Sequence, residues 1–376
     1  MTDRTKNPID DAKVADLLDR AQREVDAGFL PSVQVALARD GELIVAETFG
    51  DADADTRYCI FSATKPFVAS TMWTLLGEGT VELEAPVTKY FPEFGENGKE
   101  DITVEQVMLH TSGFPHAPLG PTIWADREAR RARMASWRLN WEPGTRYEYH
   151  PTSAHWVLAE IIEIVTGTDY RDVVQQRVTD PAGLPRILGL GPDDHDNLAE
   201  LVLVGDPATP DELEAAFGVR ELPGSEVNDE VVQRFNTSGN REVGIPGGGG
   251  FARAVDLALF YQQLLHNSAG IWDDAVLADA TGRVRNNLPD PMGVPANRAL
   301  GVVVAGDDGK TNLRGMGRTV SPRTFGHNGA GGQIAWVDPE SGLSLGYVTN
   351  GYDRHEIREP RRGTAISSIA AACVVD

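Results

Sequence analysis

The sequence predicts an α/β fold of the α+β kind, an antiparallel β-sheet flanked by N- and C-terminal helices and interrupted by a mostly helical inserted subdomain. Three observations predict it: an apolar hairpin pattern near the start of the chain, a second near its end, and a helical, loop-rich stretch between them. Hairpins at both ends imply one sheet assembled from both ends. The sheet domain then takes residues 1–80 and 250–376, and the helical insertion takes 81–249.

Taken in order, residues 9–27 place Val14, Leu17, Leu18, Ala21 and Val25 on one face of a helix. Val33 to Ala38 and Leu43 to Ala46 flank Asp40-Gly41, a pair that favours φ > 0 at both turn positions and therefore a tight hairpin. Ser62 to Leu76 predicts a helix with almost no polar face, which must be buried. Thr103 with Gln106 forms a capping box, and the helix from His155 to Val165 stops at Gly167. Phe251 to His266 repeats Leu257, Phe260, Tyr261, Leu264 and Leu265 at helical spacing. Gln333 to Val337 and Leu343 to Val348 make the second hairpin across Asp338 to Gly342, and a last helix spans about 364–374.

Composition narrows the function. Of the 376 residues 41% are hydrophobic, enough for a sizeable core, and the formal net charge is −22. Such a surface repels phosphate backbones and anionic lipid, so neither nucleic acid nor membrane is an expected partner. Met1 to Lys13 is polar and carries no apolar signal segment, so a cytoplasmic location is expected. Two cysteines, Cys59 and Cys373, build no disulfide framework and no CxxC pair, and both are expected as small buried hydrophobes. Asp193 to Asp196 cannot all face one ion and is expected as a solvated acidic loop. Gly247 to Gly250 lack the Lys-Ser/Thr of a phosphate loop. Arg127, Arg130, Arg131 and Arg133 are expected on a solvated helix, with a lid over anionic acyl donors as the alternative. No metal or organic cofactor is implied.

The chemistry lies elsewhere. Ser62-Ala63-Thr64-Lys65 opens the buried helix, and a three-residue step puts both side chains on one face. A serine hydroxyl needs a neighbour to take its proton, and a desolvated lysine suits that task. Tyr149, just ahead of the His155 helix, is a second proton acceptor when a cation stands near it. Gly326 to Gly332 lead into the C-terminal hairpin, where glycines let a strand edge approach a ligand and a backbone N–H complete an oxyanion hole.

In this order Ser62-x-x-Lys65, Tyr149 and His327-x-Gly329 resemble the three elements of the serine β-lactamase and penicillin-binding-protein superfamily. The similarity is to the class C β-lactamase-like branch, which also holds family VIII carboxylesterases and D-amino-acid peptidases. Connecting text is similar too, from Phe61 to Phe67, from Met108 to Phe114 and in Val337-Asp338-Pro339. The resemblance implies an acyl-enzyme on Ser62, with Lys65 and Tyr149 sharing the proton transfers. It places the N–H groups of Ser62 and Ala330 on the oxyanion, and His327, Asn328, Gly329 and His150 against the substrate.

Two departures bear on that substrate. Pro151 holds the place of the second motif's usual Asn, and His327 replaces a Lys. Acyl-side amides and carboxylates each lose an anchor, so a carboxylesterase for small carboxylic esters is the expectation. An acyltransferase, an amide or D-amino-acid peptidase and a β-lactamase use the same acyl-enzyme. A non-catalytic binding protein keeping the fold is the alternative from another class.

Overall fold

Asp40 and Gly41 take φ values of 57° and 82°, the left-handed pair that a two-residue hairpin turn requires. They join β1 (Ser32–Arg39) to β2 (Glu42–Gly50) in the computed structural model, which describes residues 8–117, 119–222 and 228–375. The further strands are β3 (Tyr58–Cys59), β4 (Val202–Val204), β5 (Phe251–Ala252), β6 (Val303–Val304), β7 (Phe325–Gly326), β8 (Ile334–Val337), β9 (Leu343–Thr349) and β10 (Gly351–Asp353). The helices are α1 (Asp11–Asp26), α2 (Lys65–Gly77), α3 (Val104–Met108), α4 (Arg127–Ser136), α5 (Ser153–Thr166) and α6 (Tyr170–Val174). After them come α7 (Pro210–Phe217), α8 (Asp229–Arg234), α9 (Ser238–Val243), α10 (Ala254–His266), α11 (Asp274–Gly282) and α12 (Arg358–Ala371).

A six-stranded antiparallel sheet runs in the order β2-β1-β9-β8-β7-β6, so the two ends of the chain meet between β1 and β9. Alternation along β1 sends Val33, Val35 and Leu37 to one face, against Leu17 and Ala21 of α1 and Ile366 and Ala370 of α12. Ala36 and Ala38 go to the other face, beneath α10 and α2. Both faces are covered, which is why β1 is apolar at nearly every position. Phe67 of α2 stacks on Phe260 of α10 with ring centroids 3.8 Å apart, and the indole N–H of Trp73 is satisfied by the Leu300 carbonyl.

Three elements differ from expectation, each for a local reason. The helix expected from Ser62 begins with a 3₁₀ turn, Phe61–Thr64, before the α-helix at Lys65. Pro66 has no N–H to bond the Ser62 carbonyl, and the Lys65 N–H takes that carbonyl instead, at the tighter spacing. Phe251 and Ala252 are strand, not helix, because a capping box between Arg253 and Asp256 starts α10 after them. The last helix begins at Arg358, six residues early, since Pro360 falls in its first turn where the missing N–H costs little.

The arginine run corrects a further expectation. Its helix, α4, is clamped onto α5 and is not merely solvated: Arg127 and Arg131 reach the buried Glu160 at 2.8 and 2.9 Å, and Arg127 also reaches Glu163 at 2.6 Å. Arg130 lies over the Trp156 ring and donates to the Trp124 carbonyl. Two buried carboxylates one turn apart on α5 demand cations, and α4 supplies them. Cys59 and Cys373 are buried free thiols, and Asp193 and Asp194 stand on an exposed turn. Among the described residues, no helix is long and apolar enough to cross a membrane.

Gly346 sets the distance between sheet and helix, because a Cβ there would stand 2.0 Å from the Ala254 carbonyl oxygen. Gly346→Ala should therefore force α10 off β9 and cost about 1–3 kcal/mol, the usual range for overpacking. Urea denaturation measures it, and an unchanged midpoint would refute this account of the packing.

Candidate active site

Ser62 sits in the 3₁₀ turn just before α2, partly exposed, while Lys65 on the next turn is fully buried. The residue ahead of the serine, Phe61, is held at φ 43°, a left-handed conformation that costs a non-glycine residue about 1–3 kcal/mol. Its ring is fixed by Phe235 at 5.1 Å and Tyr352 at 5.8 Å. From the other side, the Gly250 carbonyl accepts the Ile60 N–H at 2.9 Å and the Gly250 N–H donates to Thr64 Oγ1 at 3.0 Å. A side chain at Gly250 would meet that Oγ1 at 2.7 Å.

The structure brings Ser62, Lys65 and Tyr149 together. Lys65 Nζ donates to Ser62 Oγ at 3.1 Å, to the Pro151 carbonyl at 2.7 Å and to the Gly247 carbonyl at 2.6 Å. Tyr149 Oη donates to Ser62 Oγ at 2.8 Å. Burial pushes the Tyr149 phenol above its ordinary range, and the Arg298 guanidinium and the hydrogen bond with Ser62 oppose that rise. The surroundings of Lys65 are thus not the purely apolar ones its sequence context suggests, because two backbone carbonyls and the Ser62 hydroxyl accept from it.

The glycine-rich segment before β8 is also in place. The Gly329 N–H bonds the Gln333 carbonyl at 2.9 Å, and a Cβ on Gly329 would lie 2.1 Å from the Ile60 carbonyl. Only glycine lets this strand pass so near the serine. Ala330 and Ser62 both line a cavity of about 450 Å³, walled by Phe61, Leu119, Trp124, Val231, Phe235 and Ile245. Glu230, Arg234 and His116 stand among its polar lining groups.

The four residues expected to touch substrate, His327, Asn328, Gly329 and His150, are not among the residues lining this cavity, and Gly329 instead packs on the Ile60 carbonyl. His150 is enclosed: its Nε2 accepts from the Phe114 N–H at 3.2 Å, and its Nδ1 lies 2.6 Å from the Glu148 carbonyl. Burial lowers its pKa to about 3, so it stays neutral. Asn328 donates its amide to the Gly315 carbonyl, which fixes the side chain to its own scaffold. His327 receives a hydrogen bond from Arg298 on Nε2 at 3.1 Å, leaving the Nδ1 proton for the Asn328 carbonyl at 2.8 Å. Burial, then the charges of Arg298 and Lys65, hold its pKa well below the ordinary histidine value.

Residues that sequence reasoning missed complete the cluster. His110 packs against the Tyr149 ring at 4.9 Å, His155 lies behind His110 at 6.1 Å, and burial keeps both neutral. Arg298 arrives from a segment with no motif, and no local signal could have marked it. The four-glycine run, set aside as a phosphate loop, did carry a signal of close backbone approach: a Cβ at Gly247 would meet the Pro151 carbonyl at 2.9 Å.

A covered antiparallel sheet and a buried helix presenting Ser-x-x-Lys to a tyrosine from the helical layer define the class, the serine hydrolases of the β-lactamase and penicillin-binding-protein superfamily. The Beta-lactamase family model matches residues 17–367, and the chain belongs to that family. It is 30% identical over 349 residues to the esterase/beta-lactamase LipL of Mycobacterium tuberculosis, covering 84% of this chain and 76% of that protein. A penicillin-binding protein homologue from Caulobacter crescentus superposes with a TM-score of 0.78 at 25% identity, over 98% of this chain and 99% of that one. A family VIII carboxylesterase shares the fold with a TM-score of 0.79 at 24% identity, over 96% and 98% of the two chains.

Gly329→Ala tests how tightly the site is assembled. Displacing the strand by about 1 Å should slow labelling of the protein by a fluorophosphonate probe roughly 10²-fold, with the fold intact by circular dichroism. Labelling at the wild-type rate would mean that the contact with Ile60 does not position the site.

Proposed function

We propose that this chain is a carboxylesterase that cleaves small, uncharged esters through an acyl-enzyme on Ser62. The observation that carries this reading is the pair of hydrogen bonds on Ser62 Oγ, from Lys65 and Tyr149, at the wall of a largely apolar cavity. With the Lys65–Tyr149 pair one proton short of its ammonium–phenol form, Ser62 Oγ attacks the ester carbonyl carbon while its proton passes to the pair. The carbonyl oxygen becomes an oxyanion facing the N–H groups of Ser62 and Ala330. Collapse expels the alkoxide, which takes a proton from the pair, and the acyl-enzyme remains. Water then gives a proton to the pair, attacks the acyl carbon, and the carboxylic acid leaves as Ser62 regains its proton.

The leaving alcohol must stand beside the group that protonates it. Tyr149 and Lys65 are not among the residues lining the cavity, so the acyl chain is assigned to the cavity and the alcohol to the Tyr149 side. An acetyl group leaves most of about 450 Å³ to water, whereas a longer acyl chain displaces it. Lactams and D-alanyl peptides present a carboxylate, for which the neutral, enclosed His327 offers no charge. They also present an acyl-side amide, for which Pro151 has no side-chain donor. Transfer of the acyl group to an alcohol or amine, in place of water, uses the same intermediate.

Ser62→Ala should abolish fluorophosphonate labelling and ester turnover, with labelling read by mass spectrometry. Lys65→Ala and Tyr149→Phe should each slow turnover at least about 10²-fold, and the double variant little further, because the two act as a unit. A Tyr149→Phe enzyme with unchanged kcat would remove Tyr149 from the mechanism.

Across p-nitrophenyl esters, kcat/KM should rise from acetate to about hexanoate by up to roughly fourfold per methylene, the value of about 0.8 kcal/mol for burying one. All of them should be cleaved faster than nitrocefin or a D-alanyl peptide. A preference for the lactam or peptide would overturn the assignment to esters.

A further inference from the structure

Arg298 is the unexplained charge in this site. It is buried, with 7% of its surface exposed, and among the described residues no carboxylate stands within ion-pair distance of it. Nε donates to Tyr147 Oη at 3.1 Å and Nη1 to His327 Nε2 at 3.1 Å. The guanidinium carbon lies 5.1 Å from the centre of the Tyr149 ring and 5.8 Å from that of Tyr147. A buried cation without a counter-charge is costly, and aromatic faces offset only part of that cost.

The groups around Tyr149 have one sign or none. Lys65 Nζ lies 4.9 Å from its ring centre, His110 and His327 pack on the ring as neutral imidazoles, His155 lies behind His110, and Tyr147 precedes it in the chain. Glu148, the adjacent carboxylate, turns away to His116 at 2.7 Å. Positive charge gathered round a phenol, with the acid beside it directed outward, favours negative charge on that phenol.

We propose that Arg298 is a positioning residue of the active site, its guanidinium over the Tyr149 ring and on His327 Nε2 holding Tyr149 ready to accept the proton of Ser62. This rests on Tyr149 being the proton-transfer group. In the step concerned, the Ser62 Oγ–H bond breaks as Oγ bonds the carbonyl carbon, and the proton reaches the Lys65–Tyr149 pair. Negative charge that would otherwise collect on a buried phenol faces Arg298. The same guanidinium fixes the His327 tautomer, because a nitrogen that accepts from Arg298 cannot carry a proton.

The test is the pH dependence of kcat/KM for a neutral p-nitrophenyl ester in wild type, Arg298→Gln and Arg298→Lys, with melting temperatures recorded alongside. Removing the cation leaves the hydrogen bond with Ser62 to oppose burial without it, so the Lys65–Tyr149 pair holds its proton more tightly and the rising limb moves to higher pH. Arg298→Gln should shift that limb up by about one unit or more, lower kcat at pH 7 at least about 10-fold, and change KM little. Arg298→Lys keeps the charge but cannot lie flat over the ring, so its limb should fall between the two. Should Arg298→Gln fail to fold, the Arg298→Lys limb decides. A limb at the wild-type position, or a loss confined to the KM of carboxylate-bearing esters, overturns the proposal. Tyr149→Phe separates the two levels: full activity there removes the mechanism itself, whereas inactivity there with an unshifted Arg298→Gln limb removes only the role of Arg298.

Discussion

The ammonium of Lys65 is the fastening on which the rest of the site depends. A buried lysine has three donors to satisfy, and here three separate segments supply the acceptors: Ser62 in the 3₁₀ turn before α2, Pro151 ahead of α5, and Gly247 ahead of β5. Leaving any of the three unmet would strand a donor of a charged group inside the protein, at a cost of several kcal/mol. The constraint therefore works in both directions. The lysine orients the serine, and the need to satisfy the lysine draws the helical layer and the glycine run onto the first turn of α2. The absence of a side chain at Gly247 and the 3₁₀ geometry forced by Pro66 are local solutions to that one requirement.

Around this point the protein separates charge by depth. Its surface is strongly acidic, yet the cluster at Ser62 is built from an ammonium, a guanidinium, phenols and imidazoles. Four of the eight histidines, His110, His150, His155 and His327, pack in this region, and burial holds all four neutral. The ring that both cations approach is that of Tyr149, 4.9 Å from Lys65 Nζ and 5.1 Å from the Arg298 guanidinium carbon. The neutral imidazoles around it add no charge that would compete for the serine. The carboxylates of the helical layer serve a different purpose, as Glu160 and Glu163 show by anchoring α4 and, through Arg130, the Trp124 that walls the cavity.

What could be read from the sequence was what depends on local pattern. The Asp40-Gly41 turn, the Thr103 capping box and the Gly167 stop each follow from a few adjacent residues, and each lies where the pattern put it. Ser62, Lys65 and Tyr149 were legible as a group because their spacing resembles that of a family whose fold brings them together. The rest was hidden because it is tertiary. Nothing beside His150 in the sequence shows that its ring will be enclosed by Ser112 and Phe114, and nothing beside Arg298 shows that Tyr149 will lie under it. The start of the last helix was placed six residues late, because Pro360 occupies its first turn, where the missing N–H costs little.

The pairing of β1 with β9 has a consequence for how the molecule is made. Val33 lies opposite Thr349, so the second neighbour of β1 leaves the ribosome only after some 300 further residues have been added. At about 5–20 residues per second that interval is roughly 15–60 s. Through all of it an apolar strand, buried on both faces in the finished protein, has a partner on only one side. β2 ends as a solvent-facing outer strand carrying Glu42 and Glu47, which discourages edge-to-edge pairing between nascent chains from that side. The inner edge of β1 has no such guard. Only β9 closes that edge, so until β9 is made the open side of β1 is a template for pairing with another strand.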